Sequence, residues 1–330
     1  MKPICVLGDG GWGTTISILL QEKGYQVSLW SQDREYAGIL NSKRENEKFF
    51  PGFKIPLGIK ITSDLEEVIL DKDFIIIAVP SIYIRSVIKK IDDFDRNCVF
   101  ISLTKGIDQD GFKRISELIK EELSVSNLAV LSGPAIAYEV ASKVPSSVVV
   151  ASEHESIAQA VQDLFLTPYF RVYTSKDVIG VELGGALKNI IAIAAGVCDG
   201  LGFGANTKAA LLSRGLAEMA RFGRTMGAHT ETLFGLSGLG DMITTSFSPK
   251  SRNRALGEEI GKGKKLDFVL KSKNTVAEGI YTAKAVYEFS KNNNIDMPIT
   301  EQVYQVLYCN KPPDQAVCDL MSREAKPEKL

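Results

Sequence analysis

Lys188 and Asn189 are the only strongly polar pair inside the run Glu182-Leu-Gly-Gly-Ala-Leu-Lys-Asn-Ile-Ile-Ala-Ile-Ala-Ala-Gly-Val-Cys-Asp199. A segment so apolar on every side predicts a long helix in a core rather than on a surface. An ammonium buried there is expensive, so the lysine reaches water, finds an acid, or gives up its proton easily. In the first case Lys188 snorkels out at a seam between helices. In the last it is a general acid–base group near neutral pH. Gly184, Ala192 and Ala195 share roughly its face and would leave room for a ligand beside the amine.

Three loops downstream carry the partners such an amine needs. Gly235-Leu-Ser-Gly-Leu-Gly-Asp-Met-Ile-Thr-Thr245 delivers one carboxylate, Asp241, which either tunes the lysine or caps the helix that follows. Ser251-Arg252-Asn253-Arg254 stands at a predicted helix start. Backbone N–H groups and a guanidinium fork there suit a phosphate, and an exposed arginine pair is the plainer alternative. Asn274-Thr-Val-Ala-Glu-Gly279 places Glu278 in a turn, with no role that chemistry alone assigns. His154 and His229 lie in polar surroundings and look solvated, so histidine acid–base catalysis has no good candidate.

The N-terminal half offers a different chemistry. Ile4-Cys-Val-Leu7 reads as a buried strand and runs into Gly8-Asp-Gly-Gly-Trp-Gly13, after which Thr14 to Lys23 has helical spacing and Gly24 a stop. A G-x-G-x-x-G between strand and helix is a dinucleotide fingerprint. Gly8 permits the tight turn, Gly10 lets backbone approach a pyrophosphate, and Gly13 lets helix meet strand. After the second strand, Gln26 to Trp30, come Ser31 and Gln32, with Asp33 and Arg34 just beyond, so NAD and NADP both stay open. Lys105, in Thr104-Lys105-Gly106, would sit at a strand's carboxyl end, as an anion contact or as a solvated loop lysine.

These groups need a scaffold, and the spacing supplies one. Phe74–Val79, Cys98–Ile101, Leu128–Leu131, Ser146–Ala151 and Phe170–Tyr173 read as further strands. Helices lie between them, one running from Pro80-Ser81 to about Ile91. Alternating apolar strands and amphipathic helices predict a mainly parallel, doubly wound α/β sheet of Rossmann type. Residues 41–60, with Pro51, Pro56 and glycines, look like a surface excursion. After Thr174 strand signals vanish and helices are expected over 179–199, 206–226, 251–261, 276–292 and 300–308. The expected domains are therefore 1–175, binding NAD(P), and 176–330, all-α, with the site in the cleft between them. The tail from Ser322 to Leu330 should fray.

A chain of 330 residues carrying a net charge of −1 has ample core and no bias toward nucleic acid or a membrane surface. The longest apolar run, Ile190 to Cys198, is well short of the roughly 20 residues that span a bilayer. Five scattered cysteines without a C-x-x-C pair suggest neither a disulfide framework nor zinc, and a reducing cytoplasm is expected. No metal is expected.

Several segments, in order, carry a family resemblance. They are Gly8-Asp-Gly-Gly-Trp-Gly13, Leu131-Ser-Gly-Pro134, Gly184-Gly-Ala-Leu-Lys-Asn189, Asp199-Gly-Leu-Gly-Phe-Gly204, Gly238-Leu-Gly-Asp241, Ser251-Arg-Asn253 and Ala277-Glu-Gly279. Through them the chain resembles, almost end to end, the NAD(P)-dependent glycerol-3-phosphate dehydrogenases of the bacterial type. The resemblance implies reversible hydride transfer between sn-glycerol 3-phosphate and NAD(P)⁺, giving dihydroxyacetone phosphate and serving glycerophospholipid synthesis. It implies Lys188 as the acid–base residue, with Lys105, Gly133, Asp241, Ser251, Arg252 and Asn253 around the glycerol phosphate. Gly11, Trp12, Lys105, Ala137, Arg252 and Glu278 would touch the cofactor, with Gln32 at its edge. It implies a cytoplasmic homodimer. Three departures stand out. Ala135 removes a hydroxyl the family often has after Gly-Pro, Gln32 replaces a frequent basic residue and weakens the case for NADP, and Ala205 replaces a frequent aspartate. Two rival readings are a β-hydroxyacid dehydrogenase, which also has a lysine-bearing glycine-rich helix, and a catalytically idle NAD(P)-binding sensor.

Overall fold

A computed structural model of the chain describes residues 3–109, 111–272, 276–325 and 327–328. Asn274 and Thr275, and part of the tail expected to fray, lie outside the described residues. Two compact units emerge, one of residues 1–104 and 115–178, the other of residues 105–114 and 179–330.

The first unit is built on a central sheet. In chain order its elements begin β1 (Pro3–Leu7), α1 (Gly11–Glu22), β2 (Gln26–Trp30), α2 (Arg34–Lys43), β3 (Glu45–Asn46), β4 (Phe50–Lys54) and β5 (Lys60–Thr62). They continue through α3 (Leu65–Ile69), β6 (Phe74–Ile77), α4 (Ser81–Ile88) and β7 (Val99–Ser102). After β8 (Ile107–Asp108) and β9 (Lys113–Arg114), which belong to the other unit, come α5 (Ile115–Leu123) and β10 (Leu128–Ser132). The unit closes with α6 (Ala137–Ala141), β11 (Ser146–Ala151), α7 (Glu155–Phe165) and β12 (Phe170–Ser175). The eight-stranded order is β12-β11-β10-β7-β6-β1-β2-β5, parallel throughout except where β10 meets β11.

Strand periodicity explains why helices cover both faces. In β1 and β6 the residues Ile4, Val6, Phe74 and Ile76 pack in one apolar cluster with α1 and α7. The alternate residues Cys5, Leu7, Ile75 and Ile77 pack in another with α4 and α5. A strand buried on both sides has to be apolar at every position, and these are. Strand order reverses at β1, which pairs with β2 on one side and β6 on the other, so the crevice outside its carboxyl end is a topological switch point. The glycine turn begins there.

Residues 41–60 lie mostly at the surface, as expected, but Asn46, Phe50, Ile55 and Ile59 are buried and anchor the stretch, and β3 and β4 form a hairpin. The short strand β5 was likewise not anticipated; three residues are too few to show a period.

The second unit is organised on α8 (Val178–Gly200). By length and hydropathy α8 could cross a membrane, yet 94% of its most apolar window is buried inside the protein. After it come α9 (Ala205–Thr225), α10 (Thr230–Phe234), a π-helical turn (Leu236–Gly240), α11 (Asp241–Phe247) and α12 (Arg252–Gly261). Then follow α13 (Leu266–Ser272), α14 (Glu278–Asn292), α15 (Pro298–Tyr308) and α16 (Pro313–Met321). The described residues of 176–330 are helical, as expected, and the antiparallel β8–β9 hairpin from earlier in the chain packs with them through Ile107 and Phe112. The carboxylate of Glu218, buried on α9, accepts the backbone N–H groups of Ile299 and Thr300 and so satisfies the start of α15.

Close backbone contact locks α8 to α12. A Cβ at Gly257 would come 2.0 Å from the Ile193 carbonyl oxygen, and one at Gly196 equally near the Arg254 carbonyl oxygen. Only glycine permits this approach, and it fixes the first turn of α12 against α8. Gly257→Ala should therefore lower unfolding stability by about 1–3 kcal/mol, read from urea denaturation midpoints. An unchanged midpoint would mean the helices separate without cost.

Candidate functional site

A buried polar cluster of the second unit lies around Lys188, which is 6% exposed on α8. Its Nζ donates to Asp241 Oδ1 at 3.1 Å and to Thr245 Oγ1 at 2.5 Å. Lys105 Nζ donates to the other carboxylate oxygen of Asp241 at 2.5 Å. One buried acid is thus shared by two ammonium groups. Burial alone would raise the Asp241 pKa, but the charges of Lys105 and then Lys188 outweigh it and hold the carboxyl below its usual range. Lys188 is pushed the other way. Desolvation drives its pKa down to about 8; Asp241 opposes this, and the charges of Lys105 and Arg252 add to it. Two of its three hydrogen positions are taken by Asp241 and Thr245, and the third has no protein partner among the described residues.

Local sequence explains the placement. Asp241 opens α11 and Thr245 lies one turn on, so both face the amine. The π-helical turn ahead of them rests on α8 at Gly184, where a Cβ would meet the Ser237 carbonyl oxygen at 2.8 Å. Gly184 therefore does not leave space for a ligand, as its small size suggests. It admits the backbone that delivers Asp241. Asp241 does not act as an N-cap either: that position is Gly240.

An amide chain ties the neighbouring elements to the same helix. Asn189 Nδ2 donates to the Lys105 carbonyl at 3.0 Å, and Asn253 Nδ2 donates to Asn189 Oδ1 at 2.8 Å. The Gly279 N–H donates to Asn253 Oδ1 at 2.9 Å. Asn253 is thereby committed on both ends, with one N–H left over. Arg114 and Glu182 form a buried ion pair at 3.0 Å that holds the β8–β9 hairpin to α8. Ser251 caps α12, its Oγ accepting from the Arg254 N–H at 3.2 Å. Arg252 follows as an exposed first residue of α12 and feels the charge of Glu278. Glu278 is not in a turn; it is the first residue of α14. Ser251 and Arg252 border a cavity of about 290 Å³ completed by Leu256, Val269 and Ala277. A larger cavity of about 570 Å³, at Ser146, Tyr169 and Arg171, is lined by none of the candidate site residues.

The first unit carries the glycine turn. Gly8 has φ +113° and a Cβ there would lie 2.7 Å from the Ala78 carbonyl oxygen, while at Gly13 it would lie 1.9 Å from that of Gly8. At Gly10 a Cβ would meet nothing within 4 Å, so this flank of the turn is open. The N–H groups of Gly11, Trp12 and Gly13 begin α1 and have no carbonyl one turn back. This arrangement fits a dinucleotide pyrophosphate. Elsewhere in the unit Gly133 follows β10 at φ +136°, Ala137 opens α6 and accepts from Thr15 through its carbonyl, and Gln32 is exposed.

Comparison with known proteins places the chain among relatives. Two family models match, described as the N-terminus and the C-terminus of NAD-dependent glycerol-3-phosphate dehydrogenase, over residues 3–158 and 177–318. The chain belongs to this family. A glycerol-3-phosphate dehydrogenase of Chlorobium limicola, whose name carries NAD(P)⁺, is 45% identical over 98% of this chain and 99% of its own length. One from a Geobacter species is 46% identical over 99% of each chain. The crystal structure of the Coxiella burnetii glycerol-3-phosphate dehydrogenase superimposes with a TM-score of 0.93 at 36% identity, covering 98% of this chain and 99% of that one. D-mandelate dehydrogenase, at 12% identity and TM-score 0.64, shares the fold alone.

Thr245 joins the site although no motif marks it; a hydroxyl four residues after Asp241 shares its helical face, which is the signal its sequence position carries. Asn189 stands out in sequence only as a polar residue in an apolar helix, and its links to Lys105 and Asn253 exist only in the fold.

Proposed function

We propose that the chain is an NAD(P)-dependent sn-glycerol-3-phosphate dehydrogenase, interconverting glycerol 3-phosphate and dihydroxyacetone phosphate. The observation that carries this reading is the Lys188 amine, buried against Asp241 and Thr245 with its pKa brought down to about 8 in a chain of this family. When bound, the nicotinamide cofactor supplies or accepts the hydride at carbon 2. The protein's own work is position and proton transfer. Lys188 gives its proton to the carbonyl oxygen during reduction and takes the hydroxyl proton during oxidation, through its unpartnered hydrogen position. Asp241 and Thr245 aim the amine. Lys105 balances the charge of Asp241. Arg252, the remaining N–H of Asn253, Ser251 and the first backbone N–H groups of α12 are the proposed phosphate contacts, with Gly133 and Lys105 also assigned to substrate. Gly8, Gly10, Gly11, Trp12, Gly13, Gln32 and Ala137 are proposed to hold the dinucleotide in the first unit. Lys105, Arg252 and Glu278 would add cofactor contacts from the second. Residues 1–175 and 176–330 then approximate the cofactor and substrate domains. The resemblance supports a cytoplasmic homodimer supplying glycerol 3-phosphate for lipid synthesis, and the burial of α8 supports a protein that does not insert in a membrane.

Initial rates test the reading. NADH or NADPH should be consumed with dihydroxyacetone phosphate and far more slowly with dihydroxyacetone or with a 2- or 3-keto acid. Consumption with the keto acids instead would favour a β-hydroxyacid dehydrogenase, and cofactor binding without turnover would favour a sensor. The pH profile gives a second check. Oxidation needs the free amine, so kcat/KM for glycerol 3-phosphate should rise with pH through about 8 and then level. Reduction needs the ammonium and should fall through the same range. Profiles flat across pH 7–9 in both directions would remove Lys188 from the proton transfer.

A further inference from the structure

Dinucleotide folds read the adenosine ribose at the carboxyl end of the second strand, where an acid accepts from the 2′-hydroxyl and a basic group favours a 2′-phosphate. In this chain that position is Ser31, fully buried and unable to reach a ligand itself. Its hydroxyl instead donates to Asp9 Oδ2 at 2.6 Å. A carboxylate thus arrives at the end of β2 from the glycine turn, as the second residue of Gly8-Asp-Gly10. Its placement is fixed on several sides. The Asp9 carbonyl accepts from Asn46 Nδ2 at 2.6 Å and from Thr14 Oγ1 at 3.3 Å. Asn46 is itself fully buried and held by the Tyr36 hydroxyl at 2.6 Å. Asp9 is only partly buried, and its second oxygen has no side-chain partner among the described residues. Two opposite charges act on Asp9: Lys48, and after it Asp33, which spends one of its own oxygens as the cap of α2. The basic groups nearby are Lys48, lying over the rings of Tyr36 and Phe49 at 5.3 and 4.8 Å, and the exposed Arg34.

We propose that Asp9, oriented by Ser31, is the residue by which this chain selects NAD over NADP. The proposal rests on the dinucleotide reading of the glycine turn. A 2′-hydroxyl can donate to the carboxylate oxygen that Ser31 does not use. A 2′-phosphate dianion would instead face the charges of Asp9 and Asp33, and like charges so placed discriminate by repulsion rather than by a lost contact.

The test is direct binding of NADH and NADPH to the full-length protein by calorimetry, with Asp9→Asn and Asp9→Ala as variants and thermal melts to verify folding. The wild type should bind NADH at least about tenfold more tightly than NADPH. Asp9→Asn keeps an acceptor for Ser31 and removes the charge, so it should narrow that ratio by about tenfold, chiefly by strengthening NADPH. Asp9→Ala should narrow it further. A wild type that binds NADPH as tightly as NADH, as it would if Lys48 or Arg34 gripped the 2′-phosphate, overturns the proposal without any variant. So does a folded Asp9→Asn protein with the wild-type ratio. If the wild type binds neither dinucleotide, the reading of the glycine turn fails first and takes this inference with it.

Discussion

Lys188→Ala is expected to cut turnover in both directions by about a hundred- to ten-thousandfold, the usual worth of a positioned proton donor and acceptor. Dinucleotide affinity should change little, because the glycine turn that is proposed to hold the cofactor is built from β1, α1 and their neighbours. The fold should also persist. Removing the amine deletes a buried charge, and Asp241 keeps its partner Lys105 at 2.5 Å. Lys188→Met, which fills the same volume without a proton to give, separates chemistry from packing and should be equally inactive. Measured together, kcat for glycerol 3-phosphate and the dissociation constant of NADH decide the matter. Turnover like that of the wild type from either variant, with its pH dependence intact, would end the lysine mechanism.

That expectation could be framed from sequence because a lone lysine in an apolar helix is a conspicuous physical conflict. The sheet was legible for a similar reason. Strands buried on both faces, such as Phe74–Ile77, are unbroken apolar runs that few other structures explain. What escaped notice was short or locally ambiguous. The two-residue strands of the β8–β9 hairpin carry no periodicity, so residues 105–114 looked like a loop of the first unit rather than part of the second. Prolines and glycines in 41–60 signalled surface, while Phe50, Ile55 and Ile59 in the same stretch go to the core. Gly184 looked like room for a ligand because its neighbour in space, the Ser237 backbone, is 53 residues away in the chain and leaves no trace in local pattern. Asp241 was found by its glycine-rich surroundings. Its second ammonium partner was not, since pairing with Lys105 depends wholly on tertiary contact.

Asp241→Asn probes that pairing. The wild-type carboxylate sits between two ammonium groups, and neutralising it leaves Lys105 and Lys188 facing each other with no shared counter-charge. Breaking a buried ion pair from one side commonly costs about 3–5 kcal/mol, so the variant should unfold at markedly lower urea. The loss should depend on pH, and its sign can be worked out. A lysine whose folded pKa lies below its unfolded value penalises the folded state at low pH. That penalty is relieved as pH rises from the folded pKa toward the unfolded one. In the wild type the folded value is about 8, and Asp241 is the main influence holding it up. Without that charge it falls further, so the variant should begin to regain stability at lower pH than the wild type does. The same displacement moves the chemistry. The rise of glycerol 3-phosphate oxidation should shift to lower pH, and ketone reduction at neutral pH should weaken because less of the amine holds a proton. Stability curves and rate profiles that moved in opposite directions along the pH axis would show that the two effects do not share one amine. Profiles superimposable on those of the wild type would mean that Asp241 does not tune Lys188.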